Sequence, residues 1–285
     1  MTPAWVSAVT AHNTLVAAAG VAAVGFAAGV VGSLALLRKR PLVGDAAAHA
    51  TLAGVAGGFL AAGSRDLPVL LAGAFVAALA ALGALVLIRR FTRTRDDAAT
   101  GIVIGVSFGL GIALVSGLPR WGVPGSAGLE QFLLGHAAAI TGRDAAILAV
   151  VSALALFVVA AALKEITLVA FDAEFAAAGG WPVARIDVLV AALVAAMVVA
   201  GLPAVGAVLV TALVVIPPVA ARLWTDRVVW LLVLAGLFGL TAAVVGTLVS
   251  AIRPGLATGP LVVLAAATIF AVSLVFAPRR HRGMP

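Results

Sequence analysis

Residues 14–37, TLVAAAGVAAVGFAAGVVGSLALL, run without a single charged side chain and close on Arg38, Lys39 and Arg40. A helix needs about 20 successive apolar residues to cross a hydrocarbon core ~30 Å thick. This stretch is therefore long enough to span a bilayer, and it stops at charges that stay in water. The rest of the chain repeats the pattern, with apolar blocks between charged clusters at about 42–63, 67–88, 98–118, 145–163, 187–202, 205–221, 228–250 and 259–277. The expectation is about eight or nine transmembrane helices. The sixth and seventh blocks are parted only by Pro203, so they read either as two short spans or as one broken or re-entrant element.

Composition supports the same class. Of 285 residues, 64% are apolar and 10% charged, whereas soluble domains are about half apolar and a quarter charged. The apolar content excludes disorder, and a β-barrel would show ~10-residue alternating segments instead of these long blocks. The fold expected is all-α, a polytopic helical membrane protein forming one transmembrane domain over residues 1–285, with a tail at 278–285. The absence of cysteine removes disulfides and thiolate chemistry. Residues 1–13 hold no Lys or Arg, so no cleavable signal peptide is expected.

The net charge of +7 belongs to topology, not to nucleic acid, because the basic residues sit at the ends of apolar blocks. Placing the loop after the first span inside puts fourteen of the eighteen Lys and Arg in the cytoplasm and leaves Arg65, Arg120, Arg143 and Arg253 outside. The amino terminus is then outside, and the tail at 278–285 is cytoplasmic. Two connections exceed a turn. The outer one, about 119–144, carries Glu130 and His136; the inner one, about 164–186, reads KEITLVAFDAEFAAAGGWPVARI. Its middle has the pattern of a short amphipathic helix, with Phe171 and Phe175 one turn apart and Asp172 and Glu174 on other faces. Gly25 with Gly29, Gly54 with Gly58, and Gly101 with Gly105 and Gly109 have the small-xxx-small spacing that lets helix backbones approach closely.

The most informative polar residues lie in the second span, where GDAAAH places Asp45 and His49 at i and i+4 on one helix face. Carboxylate and imidazole are first-row metal ligands, and ionisable groups inside a span are costly enough to imply a function. Spacing alone leaves a second reading equally open: Asp45 as an interfacial carboxylate five residues past Arg40, with His49 a neutral buried histidine. Apart from Asp187, the first residue of the sixth block, the other spans contain no Asp, Glu, Lys or Arg, which argues against a proton-coupled carrier relay. No nucleophile and base pair stands out, so an enzyme is not expected. A P-loop is excluded, because neither Lys39 nor Lys164 follows a glycine. Pro217 and Pro218, in VIPPVAAR, must kink or break the seventh span, as a gating hinge or as a static bend.

Five segments in order, RKRPLVGDAAAHATLAG, QFLLGHA, KEITLVAFDAEFAAAGG, VGAVLVTALVVIPPVAA and GTLVSAIRPGLATGPLVVL, resemble the ABC-3 family of ABC importer permeases for zinc and manganese. The resemblance implies a homodimer of permeases, cytoplasmic ATPase subunits on separate chains, and an extracytoplasmic metal-binding protein, all at the cytoplasmic (inner) membrane. It implies Zn²⁺ or Mn²⁺ as transported substrate with no permanent cofactor. It assigns Asp45 and His49 to the metal, and Phe171, Asp172, Glu174, Ala176 and Gly180 to an inner coupling loop, about 164–186, that docks on the ATPase. The family commonly has one glycine after the alanine of that loop, whereas here Gly179 and Gly180 are adjacent. The alternative is an ion-coupled secondary metal carrier acting without an ATPase.

Overall fold

The computed structural model describes residues 11–38, 43–125, 140–252 and 256–277, and helix accounts for nearly all of them. Eleven helices appear among these residues: α1 (His12–Leu37), α2 (Val43–Ala62), α3 (Leu67–Phe91), α4 (Asp96–Arg120), α5 (Gly142–Ala161), α6 (Leu163–Phe171), α7 (Ala173–Ala178), α8 (Val183–Val205), α9 (Ala207–Arg222), α10 (Val228–Ile252) and α11 (Thr258–Phe276). Nine of them coincide with the nine apolar blocks of the sequence, and α6 and α7 form the inner connection. Glu130, His136 and the tail at 278–285 lie outside the described residues.

Seven helices, α1, α3, α4, α5, α8, α10 and α11, are long and apolar enough to cross a membrane. The two others fall short for different reasons. Helix α2 has the length, but Asp45, His49 and four glycines dilute its apolar content. Helix α9 has only 16 residues, about 24 Å at 1.5 Å per residue. Both are lodged among other helices, where a short or polar segment is shielded from lipid.

The division between α8 and α9 differs from expectation. Helix α8 runs through Pro203 to Val205, and the chain breaks at Gly206, with φ 95° and ψ 156°. That conformation is open essentially only to glycine. A proline near a helix end removes one hydrogen bond without forcing the backbone out of the α region. Pro217 and Pro218 likewise stay inside α9, which continues to Arg222, so they do not break it.

Helices α1 and α8 form the centre, each with 67% of its apolar window buried. Small residues explain how α1 is surrounded so closely. A Cβ on Gly25 would lie 2.6 Å from the carbonyl oxygen of Gly239, and one on Gly29 would lie 2.2 Å from that of Ala235. The α1 glycines, four residues apart, thus meet an α10 pair with the same spacing. Gly54 makes the equivalent approach to Gly73 of α3, its Cβ position 2.4 Å from the Gly73 oxygen. The third set behaves differently: Gly101, Gly105 and Gly109 have no atom within 4 Å of their Cβ positions, because that face of α4 points out of the bundle. Polar side chains inside the bundle turn back on their own helices, as Ser33 Oγ does to the Gly29 carbonyl (2.9 Å) and Thr247 Oγ1 to that of Ala243 (2.8 Å).

Candidate functional site

Asp45 and His49 lie on the first two turns of α2, with Asp45 Oδ1 3.5 Å from His49 Nε2. The i,i+4 spacing sets this geometry locally. The two side chains retain 37% and 21% of their exposure, so the pair opens onto a surface and is not sealed in the core. The His49 ring stands edge-on to Phe108 of α4, with centroids 5.2 Å apart and planes at 81°. Thr51, in the next turn, donates to the Ala48 carbonyl and leaves the pair as the polar chemistry of this stretch.

The depth of the pair follows from what α2 touches. Phe108 is the thirteenth of the 25 residues of α4. A Cβ on Gly44, next to Asp45, would meet Val194 at 3.5 Å and Val214 at 3.8 Å. Val194 is the twelfth of 23 residues in α8, and Val214 the eighth of 16 in α9. Three neighbours therefore place the start of α2 at their midpoints, about half a helix length from either end. The charged residues of the other spanning helices all lie within the first or last turns, such as Arg89 and Arg90 in α3 or Asp96 and Asp97 in α4. Asp45 is also at a helix start, but that start is in the middle of the bundle. Asp45 stays 37% exposed at that depth, so its carboxylate opens onto a surface of the bundle instead of lying sealed among the helices.

Among the described residues, no group of three or more His, Cys, Asp or Glu converges to hold a metal. Among the described residues, the candidate donors brought together here are one carboxylate and one imidazole, an open pair and not a closed four-ligand site.

The inner connection also departs from expectation. Phe171 ends α6 and Phe175 belongs to α7, so they do not share one amphipathic helix. Asp172 divides them: its Oδ1 accepts the Phe175 N–H at 2.8 Å, and this cap starts a new helix where the old one would have continued. Phe171 and Phe175 are nevertheless both exposed, at 65% and 66%, and Glu174 is exposed beside them. Ala176 is fully buried and faces the bundle, so its contribution is to seat α7. The helix ends in a Schellman motif, with Trp181 N–H donating to the Ala176 carbonyl (2.9 Å), Gly180 N–H to that of Ala177 (3.0 Å), and Gly180 at φ 81°. Of the adjacent glycines, Gly180 supplies the left-handed residue, and Gly179 has an ordinary φ of −77°.

Pro217 and Pro218 are buried in α9. Pro218 provides no N–H for the Val214 carbonyl one turn before it. That carbonyl instead points at Gly32 of α1, whose Cβ position lies 1.9 Å from the oxygen. The two prolines thus mark a place where α9 presses against α1.

Sequence reasoning missed Arg38 and Asp187. Counted as one of fourteen topology markers, Arg38 in fact donates through Nη2 to Asp187 Oδ1 of α8 and through Nη1 to the Val169 carbonyl of α6. It keeps only 12% of its side-chain exposure. Its partners stand 131 and 149 positions away, beyond the reach of any local pattern.

Residues 11–277 match the model of the ABC 3 transport family. The chain is 41% identical over 268 residues to the manganese transport system membrane protein MntC of Bacillus subtilis, covering 94% of this chain and 62% of that relative's length. It is 38% identical over 256 residues to the zinc transport system membrane protein TroC of Treponema pallidum, covering 90% of this chain and 86% of that one. Among solved structures, PsaBC from Streptococcus pneumoniae in complex with Fab superposes with a TM-score of 0.86 at 30% identity, over 99% of this chain and 98% of that one.

Proposed function

The chain belongs to the ABC 3 transport family, and from that premise we propose that it is the membrane-spanning permease subunit of an ATP-driven importer for a divalent transition metal, zinc or manganese, in the cytoplasmic membrane. The observation that carries this reading is the Asp45–His49 pair, two metal-ligand side chains held 3.5 Å apart at mid-bundle depth. The likeness to manganese and zinc transport proteins supports the same substrate class.

Two ligands hold an ion loosely, as a transporter requires. A second copy of the chain completes the shell: two carboxylates and two imidazoles surround one Zn²⁺ or Mn²⁺ between protomers. The outward glycine face of α4, on the helix that carries Phe108, offers a close-approach surface for that copy. The chain itself hydrolyses no ATP. Separate ATPase subunits dock on α6 and α7, where Phe171 and Phe175 supply exposed apolar contacts, Asp172 and Glu174 supply charge, and Ala176 and Gly180 hold the segment in shape. An extracytoplasmic metal-binding protein delivers the ion. ATP then closes the ATPase dimer, α6 and α7 move with it, and the packed helices rock to expose the metal path first to one side and then to the other.

The experiment is metal uptake in cells expressing the full complex. Asp45→Ala with His49→Ala abolishes uptake of zinc and manganese while the complex still assembles; undiminished uptake sinks the assignment. Uptake by the purified chain alone in liposomes under a proton gradient would instead establish an ion-coupled carrier.

A further inference from the structure

Arg38 joins three elements that the proposed cycle must move together. It caps the carboxyl end of α1, its backbone N–H donating to the Leu34 carbonyl. Its guanidinium reaches the Val169 carbonyl, two residues before the exposed Phe171, and the carboxylate of Asp187 in the first turns of α8. A cavity of about 30 Å³ lies beside this contact, lined by Arg38, Asp187, Val190, Val194 and Val43. Val43 opens α2, and Asp45 follows two residues later. One residue therefore ties together the end of α1, the inner connection and the first turns of α8, beside the cavity that Val43 of α2 also lines.

Stability alone gives little reason for this arrangement. A buried ion pair roughly breaks even with apolar packing of the same volume, because desolvation cancels the Coulomb gain. The surroundings are also incompletely satisfied: Arg38 Nε and Glu165 Oε2, one turn before Val169, are buried without hydrogen-bond partners among the described residues. What the guanidinium supplies instead is direction, since its rigid fork fixes two acceptors relative to one another in a way a lysine cannot.

We infer that Arg38, through Val169 and Asp187, is the positioning residue that transmits movement of α6 and α7 to α2 and α8, and so links ATP hydrolysis to the metal pair. The inference rests on the reading of α6 and α7 as the ATPase-facing segment. Movement of α6 pulls the fork, the fork shifts the first turns of α8 and the end of α1, and α8 carries the shift to Val194, which faces Gly44 beside Asp45.

The test uses the permease–ATPase complex reconstituted in liposomes, with metal imported and phosphate released measured together. Arg38→Gln with Asp187→Asn removes both charges, so neither partner is left buried and unpaired. The metal imported per ATP falls by about 5- to 150-fold, the range of typical coupling free energies, while ATPase binding and ATP hydrolysis persist. Arg38→Lys, which keeps the charge and loses the fork, shows a fall in the same ratio and serves if the double variant does not assemble. A wild-type ratio in whichever variant assembles overturns the inference. Failure of the unmodified permease to bind any ATPase would count against the proposed function and is distinct from that result.

Discussion

Gly32→Ala is the sharpest test of how this bundle holds together. The new Cβ would lie 1.9 Å from the Val214 carbonyl oxygen, 2.8 Å from its carbon and 3.0 Å from Pro218 Cγ. An unstrained carbon–oxygen contact is about 3.3 Å, so α1 and α9 must separate by roughly 1.4 Å at this point. Overpacking of that kind costs about 1–3 kcal/mol. A weak Cα–H···O contact worth about 0.5–1 kcal/mol is lost as well. Alanine recovers about 0.5–1 kcal/mol of helix propensity. The net expectation is a loss of roughly 1–3 kcal/mol by the same reckoning. The control is internal: Gly57 and Gly83 are also helical, and no atom lies within 4 Å of their Cβ positions. Gly57→Ala and Gly83→Ala should therefore be neutral or stabilise by up to about 1 kcal/mol. Unfolding of the purified chain by SDS, followed by circular dichroism, ranks the three variants. Stability of Gly32→Ala equal to or above that of Gly57→Ala would refute the packing argument.

Three further outcomes are expected. Gly206→Ala, at φ 95° and ψ 156°, should destabilise by roughly 1–3 kcal/mol in the same unfolding assay, since only glycine adopts that region without strain. Gly180→Ala should weaken ATPase binding to the detergent-solubilised permease more than Gly179→Ala does, because only Gly180 has positive φ and an alanine there costs about 1–2 kcal/mol; equal effects would discount the Schellman end. Phe171→Asp and Asp172→Arg should each lower that binding, the first by charging an exposed apolar contact and the second by removing the α7 cap, worth about 0.5–2 kcal/mol. Wild-type affinity in both variants would count against the docking role.

The sequence made the helices legible because each must be apolar for about the thickness of a bilayer, and that demand is written locally. The Asp45–His49 pair was legible for a similar reason, as an i,i+4 relation within one helix. Its depth was not, because depth depends on where α2 begins relative to α4, α8 and α9, and no residue near Asp45 records it. Arg38 shows the same limit: as the first charge after an apolar block it reads as a topology marker, and its acceptors belong to distant parts of the chain. The break at Gly206 was assigned to Pro203, three residues too early, because proline is the stronger sequence signal even where a neighbouring glycine does the work. Two of the three glycine sets pack as their spacing suggests, whereas that of α4 faces away from its own chain.

The position of Asp45 in the opening turn of α2 also bears on how readily an ion departs. Aligned peptide dipoles give a helix amino terminus a partial positive charge of about half a unit. A cation resting on Asp45 meets that field as well as the carboxylate, and the two oppose. A penalty of about 0.3–1 kcal/mol corresponds to a dissociation constant roughly two- to fivefold weaker than the same side chains would give in mid-helix. In the proposed site, the helix that presents Asp45 and His49 thus also works against prolonged residence, favouring turnover over storage.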